Sequence, residues 1–401
     1  MQFELDPIQT LVVAIGVLFL GAAIRGRVAV LARFNIPVPV IGGIVFAGLM
    51  TALFLGAGVE IGFDTELRVP LMLAFFTSIG LGADLGRLRR GGRRLGLFLV
   101  AAVLFLAAQN AIGLGAALSF DLHPLVGLLS SSITLSGGHG TGAAYAEGFA
   151  RVQNLQGALE LAMACATFGL VIGGLIGGPL AQWLIARHGL RPVEAGGADA
   201  APERRGTGAI TADGVLAALL AISVCLVAGQ ALAQTLAGAP LTLPSFVWAL
   251  LVGVAIRNLG EATGLARVPE PSVELLGSVS LSLFLAMSLM TLQLWELASL
   301  AGPLLGILAA QTALMLAFAA LVTFPLMGRD YTAAVIASGH CGFGMGATPT
   351  AVANMEAVTG RYGPAPAAYI VIPLTGAFFI DLANALVLGG YLALPMFGFP
   401  S

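Results

Sequence analysis

The sequence predicts an all-α polytopic membrane protein made of two inverted-topology repeats of five transmembrane helices, each with a re-entrant hairpin. Of the 401 residues, 58% are hydrophobic and 9% are charged, and the mean hydropathy is +0.97. A soluble domain has about 25% charged residues. Long apolar segments recur along the chain, and two glycine-rich stretches lie among them. Features around these stretches repeat at a spacing of roughly 200 to 210 residues, which indicates an internal duplication.

Ten segments are apolar and long enough to span a bilayer, which requires about 20 residues. They lie at 8–24, 37–58, 69–86, 95–119, 156–186, 213–236, 243–259, 275–298, 303–327 and 365–396. Leu11–Leu20 is expected to be a mature span, because no basic region with an A-x-A site marks it as a removed signal. The stretch 188–212 lacks apolar periodicity and is predicted to be a cytoplasmic linker. It separates a first repeat, 1–187, from a second repeat, 213–401.

The two glycine-rich stretches, 124–148 and 332–357, are predicted to be re-entrant hairpins. Each glycine weakens a continuous helix by about 1 kcal/mol relative to alanine, but it also lets the backbone approach a ligand closely. Non-helical backbone at membrane depth occurs only inside protein or along a wet cavity. We therefore expect each stretch to enter the membrane part-way and to return to the same side.

The arginines orient the predicted spans. With the amino terminus outside, sixteen of the eighteen arginines fall in cytoplasmic loops, and only Arg68 and Arg151 fall outside. The positive-inside rule selects this orientation, so both termini are expected to be periplasmic. Because each repeat has five spans, the second repeat begins on the opposite face and is inverted. Hairpins that enter from opposite faces toward the midplane are typical of secondary transporters.

The hairpin residues suit a small anion bound together with a hard cation. A helix that starts inside the membrane presents free N–H groups and about half a positive charge, and carboxylates bind such ends. The residues predicted to bind the substrate are Ser136, Gly137, Gly138, His139, Thr141, Gly344, Gly346, Thr348 and Arg361. The residues predicted to bind Na⁺ through oxygen atoms are Thr134, Thr350, Asn354, Asp381 and Asn384.

Structural alternatives accompany these predictions. The glycines could serve only close helix packing, His139 could be a neutral residue with local hydrogen bonds, and Arg361 could be solvated. Asp381 could form a structural hydrogen bond to a hairpin. Gln109 and Asn110 are interpreted as residues that pair helices. The three cysteines are Cys165, Cys225 and Cys341. Their spacing matches neither a metal site nor a disulfide framework, so they are interpreted as small buried hydrophobic residues.

Long motifs in the chain resemble those of one known family. The stretches 132–144 and 339–355 are similar to the two hairpin motifs of the bacterial glutamate:sodium symporter family. Five shorter motifs are also similar to that family, at 70–76, 109–113, 162–170, 280–286 and 376–381. The resemblance therefore covers nearly the whole chain.

The resemblance implies Na⁺-driven uptake of L-glutamate across the bacterial inner membrane, with Na⁺ as the coupling ion and no cofactor. It also implies a homodimer, in which a scaffold domain holds the dimer contact and a transport domain carries both hairpins and slides as an elevator. The residues alone indicate only an inverted-repeat transporter of a small anion. A sodium-coupled transporter of di- or tricarboxylates is therefore the alternative, and neither a nucleic-acid partner nor enzymatic activity is expected.

Two further classes are less consistent with the sequence. A membrane-embedded hydrolase using His340 and Cys341 would need a base and an orienting carboxylate, and none follows at a familiar spacing. A channel would be excluded by saturable uptake against a concentration gradient.

Overall fold

The fold is helical throughout the part of the chain that the computed structural model describes. That part comprises residues 2–33, 36–58, 60–86, 92–153, 155, 157–192, 209–236, 245–263, 269–291 and 301–397. Six helices are long and apolar enough to cross a membrane, and several shorter apolar helices accompany them. This confirms the prediction of an all-α polytopic membrane protein. The only β-strands in these ranges are β1 (Gln2–Leu5) and β2 (Glu60–Phe63), which form a short parallel pair.

The helices divide into two halves of similar order. The first half contains α1 (Pro7–Arg27), α2 (Ala29–Arg33), α3 (Val38–Ala57), α4 (Arg68–Leu81), α5 (Gly92–Ser119), α6 (Pro124–Leu128), α7 (Gly138–Gln153) and α8 (Ala158–His188). The second contains α9 (Ala212–Thr235), α10 (Ser245–Thr263), α11 (Glu270–Leu289), α12 (Ala301–Phe318), α13 (Phe324–Leu326), α14 (Tyr331–Gly344), α15 (Thr348–Tyr362), α16 (Ala368–Leu374) and α17 (Ile380–Leu392). Most of the predicted linker, 193–208, lies outside the described residues.

Each range predicted as a span holds a helix, but several boundaries differ. Helix α4 ends at Leu81, where Gly82 follows as its C-cap, rather than at residue 86. Helix α11 begins at Glu270, with a proline in its first turn, five residues before the predicted start. A proline is favourable in the first turn, because the N–H group that proline lacks would have no partner within the helix at that position. The predicted end of that span, 292–298, lies outside the described residues.

Two stretches of helix are interrupted, and we call them the first broken segment (124–153) and the second broken segment (331–362). In the first, α6 continues into a π-helical turn at Leu129–Ile133, where Ser130 and Ser131 leave helical geometry. Helix α7 then starts at Gly138, whose φ of +71° favours glycine. In the second, α14 ends at Gly344 and α15 starts at Thr348.

An aspartate fixes the start of the second broken segment. The Oδ1 atom of Asp330 accepts a hydrogen bond of 2.7 Å from the Ala333 amide, which caps α14. Its Oδ2 atom lies 2.6 Å from the Arg94 Nη2 atom near the start of α5. The residue that caps α14 therefore also ties this helix to α5 at the same end of the molecule.

The helices pack into two groups, each drawn from both halves of the chain. The first helix group contains α1, α3, α4, α9, α10 and α11, which pack against one another. The second helix group contains α5 to α8 and α12 to α17, including both broken segments. Contacts between the groups are much sparser and are made chiefly by α7 and by the chain from residue 375 to α17. The main hydrophobic core is continuous across both groups, and it includes Leu129 and Leu135 of the first broken segment and Phe343 of the second.

Candidate functional site

The interruptions of the two broken segments touch each other deep inside the second helix group. The Ser136 Oγ atom of the first segment lies 3.1 Å from the Gly344 carbonyl oxygen of the second. Gln109, from α5, joins both: its Nε2 atom donates to the Gly344 carbonyl at 2.9 Å, and its Oε1 atom accepts from Ser136 at 2.6 Å. Both side chains are buried. One amide side chain thus connects the two interruptions.

A second polar cluster lies beside this contact. The Ser132 hydroxyl is 2.9 Å from Asn110 Oδ1 and 2.6 Å from Asn384 Oδ1. The Asn384 Nδ2 atom donates to the Ser132 carbonyl oxygen at 3.0 Å. The Asn110 Nδ2 atom is buried and has no hydrogen-bond partner among the described residues. This cluster connects α5 and α17 to the first broken segment.

Sequence reasoning did not identify Gln311 of α12, which completes the network. Its Nε2 atom donates to the Gln109 carbonyl oxygen and to Ser131 Oγ, both at 2.8 Å. Its Oε1 atom is buried without a hydrogen-bond partner in the described ranges. The sequence signal that could have identified Gln311 is a single amide in the middle of an apolar span. Polar side chains in membrane helices face the protein interior and are often functional. The same signal marked Gln109 and Asn110, which were interpreted only as helix-pairing residues.

The backbone amides of Gly137 and Gly138, two of the predicted substrate-binding residues, already donate hydrogen bonds within the first broken segment. The Gly137 N–H donates to the Ser132 carbonyl oxygen, and the Gly138 N–H donates to the Thr134 carbonyl oxygen, both at 2.9 Å. The first N–H groups of a helix have no intrahelical partner, so the first turn of α7, after Gly138, holds the next amides able to face a ligand.

The remaining predicted substrate residues fall into three positions. His139 and Thr141 are buried in the first turn of α7, and His139 Nε2 lies 3.1 Å from Thr167 Oγ1 of α8. Gly344 and Gly346 belong to the interruption of the second broken segment, and Gly346 lies close to Gly138.

Thr348 begins α15 and packs against Gly376. Arg361 is exposed at the other end of α15, where its guanidinium lies 5.3 Å from the Tyr362 ring centroid. The structure therefore brings Thr348 toward the interruptions but not Arg361.

The predicted Na⁺ ligands lie at two places rather than one. Near the Ser132 cluster, Asn384 is buried, and Asp381 precedes it by one turn of α17 with a partly buried side chain. Thr134 is buried as well, and its hydroxyl donates to the Leu129 carbonyl oxygen at 2.6 Å.

The other two predicted ligands belong to α15. Asn354 donates from Nδ2 to the Gly173 carbonyl oxygen of α8 at 2.8 Å. The Thr350 hydroxyl is buried and has no hydrogen-bond partner in the described part of the chain, as is also true of the Ser338 hydroxyl on α14. Asn354 Nδ2 lies 3.4 Å from the Ser338 carbonyl oxygen, and Thr350 precedes Asn354 by one turn of α15.

His340 occupies an aromatic cage rather than the contact between the interruptions. Its ring centroid lies 5.1 Å from those of Phe98 and Phe105, and its Nδ1 atom is 2.8 Å from Thr323 Oγ1. Thr323 ends a π-helical turn, an irregularity often found at functional positions. This environment holds the imidazole in a fixed orientation.

Comparison with known proteins identifies the family of the chain. Residues 3–364 match the sodium/glutamate symporter family. A sodium/glutamate symporter of Escherichia coli (strain K12) is 51% identical over 400 residues, which cover 99% of this chain and 100% of the relative. A sodium/glutamate symporter of Haemophilus influenzae is 48% identical over 397 residues, 97% of each chain.

The matches decide between the classes of protein that the sequence allowed. All carry the name of a symporter, which is a transporter and not an enzyme. This confirms the prediction of a transporter rather than a hydrolase. Because the family match and both relatives extend over most of its length, the chain belongs to the sodium/glutamate symporter family.

Proposed function

We propose that this chain takes up L-glutamate together with Na⁺ across the bacterial inner membrane. The observation that carries the proposal is the contact between Ser136 and the Gly344 carbonyl oxygen, which brings two interrupted helices together in an apolar interior. Broken helices that meet in this way supply helix ends for an anion and carbonyl oxygens for a cation. The relatives named as sodium/glutamate symporters support the choice of both solutes.

The substrate carboxylates are proposed to bind at the starts of α7 and α15. Helix α15 has no side-chain cap at its amino end, so its first N–H groups depend on another acceptor. Carboxylates suit such ends because of the free donors and the helix dipole. The side chains that would contact the substrate there are Ser136, His139, Thr141 and Thr348.

Na⁺ is proposed to bind at side-chain oxygen atoms in two places, one on α14 and α15 and the other on α17 and the first broken segment. The buried hydroxyls of Thr350 and Ser338 are suitable ligands, because the Thr350 and Ser338 Oγ atoms have no partner among the described residues. A hydroxyl that donates one hydrogen bond, as that of Thr134 does, still keeps lone pairs for a cation. Asp381 and Asn384 would provide a second group of oxygens on α17. Coupling follows if bound Na⁺ tightens substrate binding, and by linkage the reverse also holds.

Inverted repeats are supported by contacts between matching positions. In a structure with a pseudo-two-fold axis, residues near the axis contact their own equivalents in the other repeat. Gln109 and Gln311 hydrogen bond at a sequence separation of 202, and Ser136 and Gly344 at 208. Both values fall within the repeat spacing of roughly 200 to 210 residues that indicates the duplication. We therefore propose that the broken segments are re-entrant hairpins of two inverted repeats.

An elevator motion is supported by the two helix groups. Each group packs extensively within itself and only sparsely against the other, so a rigid-body shift of one past the other would disturb few contacts. We propose that the second helix group is the transport domain and the first is the scaffold. The scaffold also has exposed apolar residues on α9, such as Leu216, Leu220 and Val227, and we propose it as the dimer contact of a homodimer.

The assignment of loops to two opposite sides of the membrane, on which the proposed periplasmic placement of the termini depends, is consistent with the ion pairs. Arg94 pairs with Asp330, and Arg257 pairs with Glu270, so four residues assigned to the cytoplasmic side contact one another pairwise. Arg68 lies near Glu147 of α7, and the last turn of α7 also contains Arg151, the other predicted outer arginine. The proposed orientation is consistent with each pair.

Uptake of labelled L-glutamate into proteoliposomes tests the proposal. We expect saturable uptake that requires an inward Na⁺ gradient and that stops when K⁺ replaces Na⁺ outside. Citrate and malate should compete poorly, whereas strong competition would favour the di- or tricarboxylate alternative. Uptake that is indifferent to the Na⁺ gradient would contradict Na⁺-coupled symport.

A further inference from the structure

A cavity of about 370 Å³ lies between the two helix groups, away from the contact of the broken segments. One wall is α7, which contributes Ala143, Ala146 and Ala150 at helical spacing. The opposite wall includes Arg68 of α4 and Ser288 of α11, both from the first helix group. The cavity therefore lies where a substrate could contact both groups at once.

Three charged side chains give this cavity an unusual electrostatic character. The Arg68 Nε atom lies 3.7 Å from Glu147 Oε1, which is too long for a good hydrogen bond. The Arg68 Nε and Glu147 Oε2 atoms are both buried, and neither has a hydrogen-bond partner within the described ranges. Arg151, an exposed residue, completes the lining. The cavity thus holds two guanidinium groups, one carboxylate and unused hydrogen-bonding atoms.

Buried polar atoms without partners cost free energy unless a ligand or water satisfies them. The charges present here, two positive and one negative, are the complement of an α-amino dicarboxylate, which carries two carboxylates and one ammonium group. Guanidinium groups bind carboxylates in a bidentate manner, and Glu147 can accept from an ammonium group. The alanine methyl groups leave room without offering a competing polar contact.

We propose that this cavity is a second binding site for an acidic amino acid, on the route to the broken segments. This inference rests on the proposed function, since it names glutamate as the ligand. In the proposal, Arg68 and Arg151 bind the two carboxylates, and Glu147 binds the ammonium group.

The cavity and the contact of the broken segments are separate places on α7. Glu147 lies nine residues after Gly138, which is about 13 Å along a helix at 1.5 Å per residue. Near the start of α7, Gly140 packs against Phe75 and Leu281 of the first helix group. The contact of Gly140 therefore lies along α7 between a ligand bound at Glu147 and the interruption of the first broken segment.

Initial rates of glutamate uptake in proteoliposomes, measured for Arg151→Gln and Glu147→Gln, test the second site. We expect the KM for glutamate to rise roughly tenfold while the maximal rate stays near that of the wild type, because the variants lose an attractive charge or a ligand group. Added choline chloride should raise the wild-type KM, because salt weakens steering of an anion by positive charge. The KM of Arg151→Gln should respond less to the salt.

The matched control is Arg187→Gln. Arg187 is an exposed arginine near the end of α8 that lies over the Trp183 ring, and its removal should leave the KM unchanged. An unchanged KM in both test variants would overturn the inference. A lower maximal rate with an unchanged KM would also overturn it, because it would indicate that Arg68 and Glu147 only hold the two helix groups together.

The Arg151→Gln exchange alters an exposed side chain and should leave the fold intact, which keeps the test valid if Glu147→Gln is unstable. The wild-type protein separates the two hypotheses. Absence of Na⁺-dependent uptake in the wild type contradicts the proposed function itself, whereas normal wild-type uptake with unaltered variants contradicts only the second site.

Discussion

At the scale of single residues, the amide side chains inside the second helix group are the most informative feature. Gln109, Asn110, Gln311 and Asn384 hydrogen bond to backbone or hydroxyl groups of the broken segments. In a membrane interior, the backbone groups of an interrupted helix need hydrogen-bond partners from the protein, because no water is present to supply them. The amides therefore hold the irregular backbone of the interruptions in place.

Replacement of Asn384 should change the response to Na⁺. Its Oδ1 atom accepts from Ser132, and it is among the proposed Na⁺ ligands. We expect Asn384→Ala to raise the Na⁺ concentration for half-maximal uptake roughly tenfold, which corresponds to about 1.4 kcal/mol, the order of one lost polar interaction. Uptake measured over a range of Na⁺ concentrations checks this expectation.

Thr312→Ala is the control for Asn384→Ala, because the Thr312 hydroxyl donates only to Leu308 of its own helix. This variant should keep the wild-type Na⁺ dependence. If Asn384→Ala also keeps it, Asn384 supports the backbone of the first broken segment and is not a Na⁺ ligand.

The sequence predicted the residue types of the site better than their partners. The serine, threonine and asparagine residues of the glycine-rich stretches were recognised because polar groups are rare in such an apolar chain. Gln311 was missed because a lone amide carries no local pattern, and its contacts with Gln109 and Ser131 bridge separations of 202 and 180 residues. Arg361 was chosen for its charge, but its exposed position at the end of α15 follows from helix length, which the motif does not encode.

At the scale of helices, the long helix α8 supports both interruptions through small residues. Gly169 lies against the Met345 carbonyl oxygen, and Gly173 approaches Met345 and the chain around Cys341. Close approach of this kind is what small residues at membrane helix interfaces allow. The glycines of α8 thus determine how deeply the second broken segment can pack.

Substitution of Gly169 should therefore disturb the site through packing alone. A Cβ atom at this position would fall against backbone, the Met345 carbonyl oxygen, which cannot rotate away as a side chain can. We expect Gly169→Ala to lower the thermal stability of the purified protein, in line with roughly 1–3 kcal/mol for overpacking, and to reduce glutamate uptake. Thermal unfolding in detergent and proteoliposome uptake measure the two effects.

Gly178, on the same helix, provides a control of opposite sign. No atom lies within 4 Å of a Cβ placed there, and alanine favours a helix over glycine by about 1 kcal/mol. Gly178→Ala should keep full uptake and have equal or higher stability. Equal behaviour of the two variants would show that the approach of α8 to Met345 is not tightly constrained.

Boundaries of helices were predicted less well than their existence. Apolar length locates a span, but the ends depend on caps such as Asp330 and on the carbonyl partner of each first amide. Composition predicted that the stretch 124–148 is interrupted, but it did not predict the departure from helical geometry at Ser130 and Ser131. It did not predict the π-helical turns at Ala319–Thr323 and Thr375–Phe379 either. Each of these turns accompanies a proline nearby, but proline alone does not specify a π-helical turn.

At the scale of the whole molecule, the division into two helix groups could not be read from the order of the spans. The first three spans of each half join in one group, and the later elements of both halves join in the other. This arrangement depends on which helix faces fit, such as Gly80 of α4 against the Leu250 carbonyl oxygen of α10. Apolar periodicity is weak in helices surrounded by lipid and protein, so the sequence pattern does not reveal these partners.

The elevator proposal predicts that a link between the groups stops transport. Gly140 of α7 lies against Phe75 of α4 and Leu281 of α11, and replacing Gly140 and Leu281 with cysteine removes one of these two bulky side chains. In a variant whose native cysteines, Cys165, Cys225 and Cys341, are replaced by alanine, a short bis-methanethiosulfonate, which forms a disulfide with each new cysteine, should join the pair and abolish glutamate uptake. A reducing agent that cleaves the link should restore uptake. The control pair, Thr10→Cys with Asp64→Cys, joins α1 to the segment between β2 and α4. This link does not connect the two helix groups, so the linked control should transport normally. Full transport by the Gly140–Leu281 pair after complete linkage would show that these two groups do not move past each other at α7.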